Sequence, residues 1–216
     1  AGGCLLLRQV DRYSGLLKQV SGSLTDPRRK KSCAHDLTSL LRQRVYGLAL
    51  GYEDVNDHDP LRHDLALQTA IEKGSLLASA STLCRLENRS GRDTAWAIHR
   101  VIVDGFVASF KRAPRKLILD FDATDDKVHG KQQGRFFHGY YDSYCFLPLY
   151  VFCGEQLLVS YLRPSKIDGA KHAWAILSLL VKRLRQSWPN VKIIFRGDSG
   201  FCRHKMLSWC ERNEVN

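Results

Sequence analysis

The 216-residue chain is 44% hydrophobic, and its 33 Lys and Arg against 22 Asp and Glu leave a formal net charge of +11. That is enough chain for one good core with a smaller second domain, and the charge points to an anionic partner, nucleic acid first. No apolar run approaches the roughly 20 residues that span a bilayer, AGGCLLLRQV lacks the basic flank of a signal peptide, and the seven cysteines show neither a C-x-x-C pair nor a zinc spacing, which fits reduced, intracellular thiols.

Residues 1–112 read as a mainly α-helical N-terminal domain. Asp36 is placed to cap a helix over LLRQRVYGLAL, where apolar residues recur at helical spacing. GYEDVNDHDPLRHD (51–64) reads as a helix–helix connection. Its Glu53, Asp54, Asp57, His58, Asp59 and His63 are metal-ligand types, but capping and solvated charge are the better reading. GSLLASASTLCRLENRSG (74–91) looks like a short helix-turn-helix with Arg85 on the recognition helix, and an ordinary helical hairpin fits as well. Asp93 then opens a helix over TAWAIHRVIVDGFVASF.

At KRAPRK (111–116) the texture changes, and Pro114 marks a linker into a second domain, 113–216. LILDFD is a short apolar strand. Residues 134–153, aromatic and β-branched, hold one or two strands broken near Pro148, and QLLVSYL is another. Asp168-Gly169 leads into a helix whose apolar face is Trp174, Leu177, Leu180, Val181 and Leu184. VKIIF is a further strand that runs straight into RGDSGF, and MLSWCER starts a last helix. The order β, β, β, α, β, α predicts an α/β domain with a mixed sheet and flanking helices.

Two of these strands end in aspartate, LILDFD at Asp122 and VKIIFRGD at Asp198. As parallel neighbours about 4.8 Å apart they would set the two carboxylates side by side. Two such charges share a site cheaply only with a cation between them. Oxygen ligands of this kind suit Mg²⁺, held by one or two carboxylates and substrate phosphates. Around Asp198, residues 163–212 carry eleven Lys and Arg, among them Lys182, Arg183, Arg196 and Arg203, against Asp168, Asp198 and Glu211. A metal centre in a basic surface is what cutting or joining a polyanion requires. Turn formation is the plainer role for each aspartate alone. Asp120 shares the strand face of Asp122 and is the fallback ligand.

Asp122-Ala123-Thr124 after an apolar strand, then HGKQQGRFFHGYYDSYCFLPL, then FRGDSGFCR, resembles the DDE transposases of bacterial insertion sequences, most of all the insertion-sequence-1380 group. LTDPRRK, LLRQRVYGLALGYEDVNDHDPLRHD and STLCRLEN extend the resemblance over nearly the whole chain. It implies an RNase H-like catalytic core, cleavage dependent on Mg²⁺ or Mn²⁺ at terminal inverted repeats, strand transfer into target DNA, a dimer on DNA, and a cytoplasmic, nucleoid-associated bacterial protein without a membrane. Asp122 maps to the first catalytic carboxylate and Asp198 to the second. The third, a Glu on a later helix, has no match. Glu211 and Glu214 follow Asp198 too closely, so the sequence is expected to be a C-terminally truncated fragment, inactive as it stands.

One rival is a haloacid-dehalogenase-type phosphatase, whose D-x-D-x-T motif Asp120 to Thr124 matches, with Asp120 as nucleophile and Asp122 as general acid/base. Gly197-Asp198 lacks that family's following Asp, and a charge of +11 serves no small phosphate ester. A second rival is a non-catalytic DNA-binding module built on the helical first half. In HGYYD, Tyr140 and Tyr141 are candidates to stack on unpaired bases, against a plain β-turn.

Overall fold

The computed structural model describes residues 3–29, 31 and 33–216; Lys30, the last residue of LTDPRRK, lies outside them. The chain forms two compact units, Ala1–Val101 and Ile102–Asn216.

The first unit is helical: α1 (Cys4–Ser14), α2 (Leu16–Ser23), α3 (Leu37–Ala49), a 3-10 turn (Val55–Asp57), α4 (His58–Leu61), α5 (Leu65–Ile71), α6 (Ala80–Arg89) and the start of α7 (Arg92–Ala108). Local chemistry sets many of the ends. Gly15 takes the left-handed conformation that closes α1, its N–H donating to Asp11 O. Asp36 accepts from Ser39 N at 2.8 Å and caps α3. Asp54, Asp59 and Asp64 accept from Asn56 N, Ala80 N and Leu67 N, so the acidic 51–64 stretch is spent on caps.

Leu17, Tyr46, Leu61, Leu67 and Ile71 form one core of this unit, and Leu40, Ala78, Leu83 and Leu86 another. Buried Asp11 joins helices by accepting from Leu17 N, Arg42 Nε and the Tyr46 hydroxyl. Burial first, then the Asp11 charge, pushes the Tyr46 phenol up to about 12. Residues 74–91 contain one helix, α6, rather than two. The Gln43 side chain holds the backbone N–H and C=O of Ala78 at 2.9 Å each, and Leu77 N donates to Arg62 O, so 77–78 are strapped outside any helix.

A Cβ on Gly47 would lie 2.6 Å from Cε1 of His58, a ring with no exposed surface. Gly47→Ala should therefore destabilise the first unit by about 1–3 kcal/mol, read as a lower thermal midpoint.

The second unit is α/β. Its main sheet has the order β6-β5-β1-β7: β1 (Lys116–Ala123), β5 (Leu149–Cys153), β6 (Gln156–Tyr161) and β7 (Lys192–Gly197). β1 runs antiparallel to β5 and parallel to β7, and β5 antiparallel to β6, which gives the expected mixed sheet. A small second sheet, β2-β4-β3, comprises β2 (Asp126–Lys127), β3 (Phe136–His138) and β4 (Ser143–Phe146). Leu147-Pro148 separates β4 from β5, because proline has no N–H to give a ladder.

Leu117, Leu119 and Phe121 alternate inward along β1 and share one core with Leu149, Val151, Leu158 and Ile193 of the sheet. The same core takes Leu177, Leu180, Val181 and Leu184 from α8 (Ala173–Ser187), Met206 and Cys210 from α9 (His204–Arg212), and Val103 and Phe106 from α7. This core explains why the units divide within α7 and not at KRAPRK: the apolar end of the helix belongs to the α/β unit. Beyond β7, Val215 makes a parallel bridge to Ile193. Among the described residues no helix is long and apolar enough to cross a membrane, and all seven cysteines are unpaired.

Candidate active site

The register of β1 on β7 builds the site. Leu119 lies opposite Phe195, Asp120 opposite Arg196 and Phe121 opposite Gly197. One residue beyond this last pair come Asp122, still on β1, and Asp198, just past β7, and the charges of both act on the phenol of Tyr141. In-register residues of parallel neighbours face the same side of a sheet. Leu119 and Phe121 point into the core, so Asp120 and Asp122 point to the opposite face. Both Asp122 and Asp198 are exposed.

The loop after β7 explains the RGDSGF motif. Asp198 caps a 3-10 turn (Ser199–Phe201), its Oδ1 accepting from Gly200 N at 2.8 Å. A Cβ on Gly200 would sit 2.9 Å from that same oxygen, and one on Gly197 2.9 Å from the buried ring of Phe201. The second carboxylate is thus fixed by backbone geometry, with Oδ2 left over. Asp122 makes neither a capping bond nor an ion pair among the described residues. Carboxylate oxygens of this kind suit Mg²⁺ or Mn²⁺, with water and phosphate completing the shell. Among the described residues no group of three His, Cys, Asp or Glu is placed to hold a metal.

The other candidates are placed as follows. Asp120 forms a two-point ion pair with Arg196, one arm Arg196 Nη2 to Asp120 Oδ2 at 2.7 Å, and this pair raises the Arg196 pKa. Arg203 pairs with Asp168 at 2.7 Å, whose carboxyl is lowered by the Ala170 N–H first and then by Arg203. On α8, Lys182 is exposed, while Arg183 is engaged by Asp104 at 2.7 Å and by Ser187. Arg85 is exposed on α6, in the first unit, and donates to Thr82 Oγ1. Glu211 sits on α9 and Glu214 just after it, at a φ of 52°.

Sequence reasoning left Tyr141 undecided, and passed over Arg163. The four-residue loop between β3 and β4 closes through Tyr141 N donating to His138 O, with Asp142 in the left-handed region at φ 46°. Asp tolerates that conformation, which explains its place in HGYYD. Tyr140 is left 86% exposed, and Tyr141 turns inward. Burial raises the Tyr141 phenol, and the charges of Asp125, Asp122 and Asp198 add to it. Arg163 is a wholly buried cation, its pKa lowered by burial, that donates to three backbone carbonyls.

The family model described as "Transposase DDE domain group 1" matches residues 1–216, the whole chain. Among solved structures, the chain is similar to the protein in "Crystal structure of a pre-cleavage Mos1 transpososome", with 13% sequence identity and a TM-score of 0.32, covering 100% of this chain and 78% of that one. No curated protein matches the chain.

Proposed function

The chain belongs to the transposase DDE domain group 1 family, and from that premise we propose that it carries the first two catalytic carboxylates of a metal-dependent DNA strand-cleavage and strand-transfer reaction at insertion-sequence ends. The observation that supports this most is the parallel β1–β7 register, whose last pair, Phe121 and Gly197, is followed in the two segments by Asp122 and Asp198. In this reading the two aspartates hold Mg²⁺ or Mn²⁺. The ion, when bound, polarises a phosphoryl oxygen and makes water or a 3′-hydroxyl a better nucleophile. Asp198 stays aimed because its turn is capped, while Arg203 and Lys182 meet DNA phosphates at the edge of the site. Arg196 holds Asp120 and contributes the remaining charge of its guanidinium. The first unit grips the terminal inverted repeats, with Arg85 facing DNA, and the element is one of the insertion-sequence-1380 kind.

The partners are thus inverted-repeat and target DNA, with a dimer formed on DNA in the bacterial cytoplasm. Two carboxylates by themselves hold a divalent ion weakly, and substrate phosphates complete its shell. The Asp120 nucleophile of a phosphatase is not supported: its carboxylate is tied at both oxygens by Arg196.

Ion binding tests the reading directly. Adding the chain to Mn²⁺ should reduce the free-ion electron paramagnetic resonance signal, and excess Mg²⁺ should restore it. Asp122→Asn and Asp198→Asn should each prevent the reduction. Equal Mn²⁺ binding by parent and both variants would sink the proposed metal pair.

A further inference from the structure

We infer that Tyr141 is a positioning residue of the carboxylate site, its hydroxyl tying the β3–β4 turn to the end of the strand that carries Asp122. The inference rests on the metal-pair reading above and adds a residue to it.

The chain path creates the contact. β1 ends at Ala123, and Thr124-Asp125 turn the backbone into β2, which pairs with β4. β4 also pairs with β3, so the small sheet folds off the end of β1 and its hairpin turn comes back to that same end. There the Tyr141 hydroxyl donates to the carbonyl of Ala123, the residue after Asp122, at 3.3 Å. The ring is fixed from behind by His138, at 4.9 Å between centroids and a 45° tilt, and by Tyr140, edge-on at 5.0 Å. Asp142 supplies the left-handed residue of the turn, in which Tyr140 is exposed and Tyr141 half-buried.

The phenol suits the task. Its O–H is the donor in the bond to the Ala123 carbonyl, and no other group on the ring competes for that role. A donor on the Ala123 carbonyl fixes the last peptide of β1 and with it the direction of Asp122. The same placement sets an ultraviolet-absorbing ring close to where an ion would bind.

Tb³⁺, a hard oxygen-seeking ion excited through nearby tyrosine, is the probe. Parent chain, Tyr141→Phe, Tyr140→Phe and Asp122→Asn would be titrated with Tb³⁺, with ultraviolet excitation and Mg²⁺ competition, and their thermal midpoints compared. The expected result is a several-fold weaker Tb³⁺ affinity and a smaller sensitised emission for Tyr141→Phe at an unchanged midpoint, with Tyr140→Phe like the parent. If Asp122→Asn abolishes Tb³⁺ binding while Tyr141→Phe matches the parent in affinity and emission, the role of Tyr141 is refuted and the metal pair stands. If affinity falls only together with a drop of several degrees in midpoint, Tyr141 is merely structural and the inference is overturned. Unchanged Tb³⁺ binding by Asp122→Asn would refute the metal pair and this inference with it.

Discussion

Asp122→Asn should reduce Mg²⁺-dependent cleavage of element-end DNA by on the order of 10³-fold, and Asp198→Asn by as much. The magnitude follows from the charge stabilisation that a bound ion gives a phosphoryl transition state, several kcal/mol, at about 1.4 kcal/mol per tenfold in rate. An amide retains the size and one acceptor oxygen of the carboxylate but loses the charge, so the fold should be unaffected. Exposure of both residues supports this, since neither is part of the core. Asp120→Asn is the informative control. It lies on the same strand face, two residues away, but its partner is Arg196. Its loss should leave cleavage within about tenfold of the parent, well short of the loss expected for a ligand of the ion. Gel-resolved cleavage with paired DNA-binding measurements would decide the matter. Comparable losses for Asp120→Asn and Asp122→Asn would move the site along β1, and a phosphorylated Asp120 would revive the phosphatase chemistry.

The parts of this site that were legible in the sequence are those written in local pattern. Two short apolar runs each ending in Asp declared parallel strands with carboxylates at their ends, and β1 and β7 are parallel neighbours. The transposase resemblance, read from the residues around both aspartates, holds at the level of the family. Asp36 could be read as a cap because a cap bond spans three residues. What escaped was set by partners far away in the chain. No window around 74–79 reveals that Gln43, 35 residues earlier, holds the backbone of Ala78 ahead of α6. The Asp120–Arg196 pair needs the strand register before it can be seen. β2 has only two residues and exists because β4 offers it an edge. Whether Tyr140 or Tyr141 faces the site depends on the turn geometry at Asp142, since adjacent tyrosines carry the same local signal.

Arg163→Ala should cost the second unit about 3–5 kcal/mol, against total stabilities that are typically 5–15 kcal/mol. Arg163 is 1% exposed, and its guanidinium donates to the carbonyls of Leu147 at 2.8 Å, Gly169 at 2.9 Å and Lys171 at 2.6 Å. Each carbonyl left without a donor costs about 1–3 kcal/mol, and the emptied volume adds to the loss. Reciprocal backbone bonding makes the site stiffer still, because Leu147 N donates to Arg163 O. Arg163→Lys should recover only part of the stability: one ammonium cannot reproduce the planar fork that reaches carbonyls on both sides. Urea unfolding followed by tryptophan fluorescence suits the test, since Trp174, Trp188 and Trp209 all lie in this unit. A loss below about 1 kcal/mol for Arg163→Ala would mean that water takes over the carbonyls. The consequence for chemistry is separate from stability. Gly169 abuts Ala123, with its would-be Cβ 3.7 Å from the Ala123 methyl, so the loop that Arg163 braces is also the floor beside Asp122. Arg163→Lys should thus weaken ion binding at the carboxylate pair even at temperatures where the unit stays folded, a loss that added stabilising osmolyte would not repair.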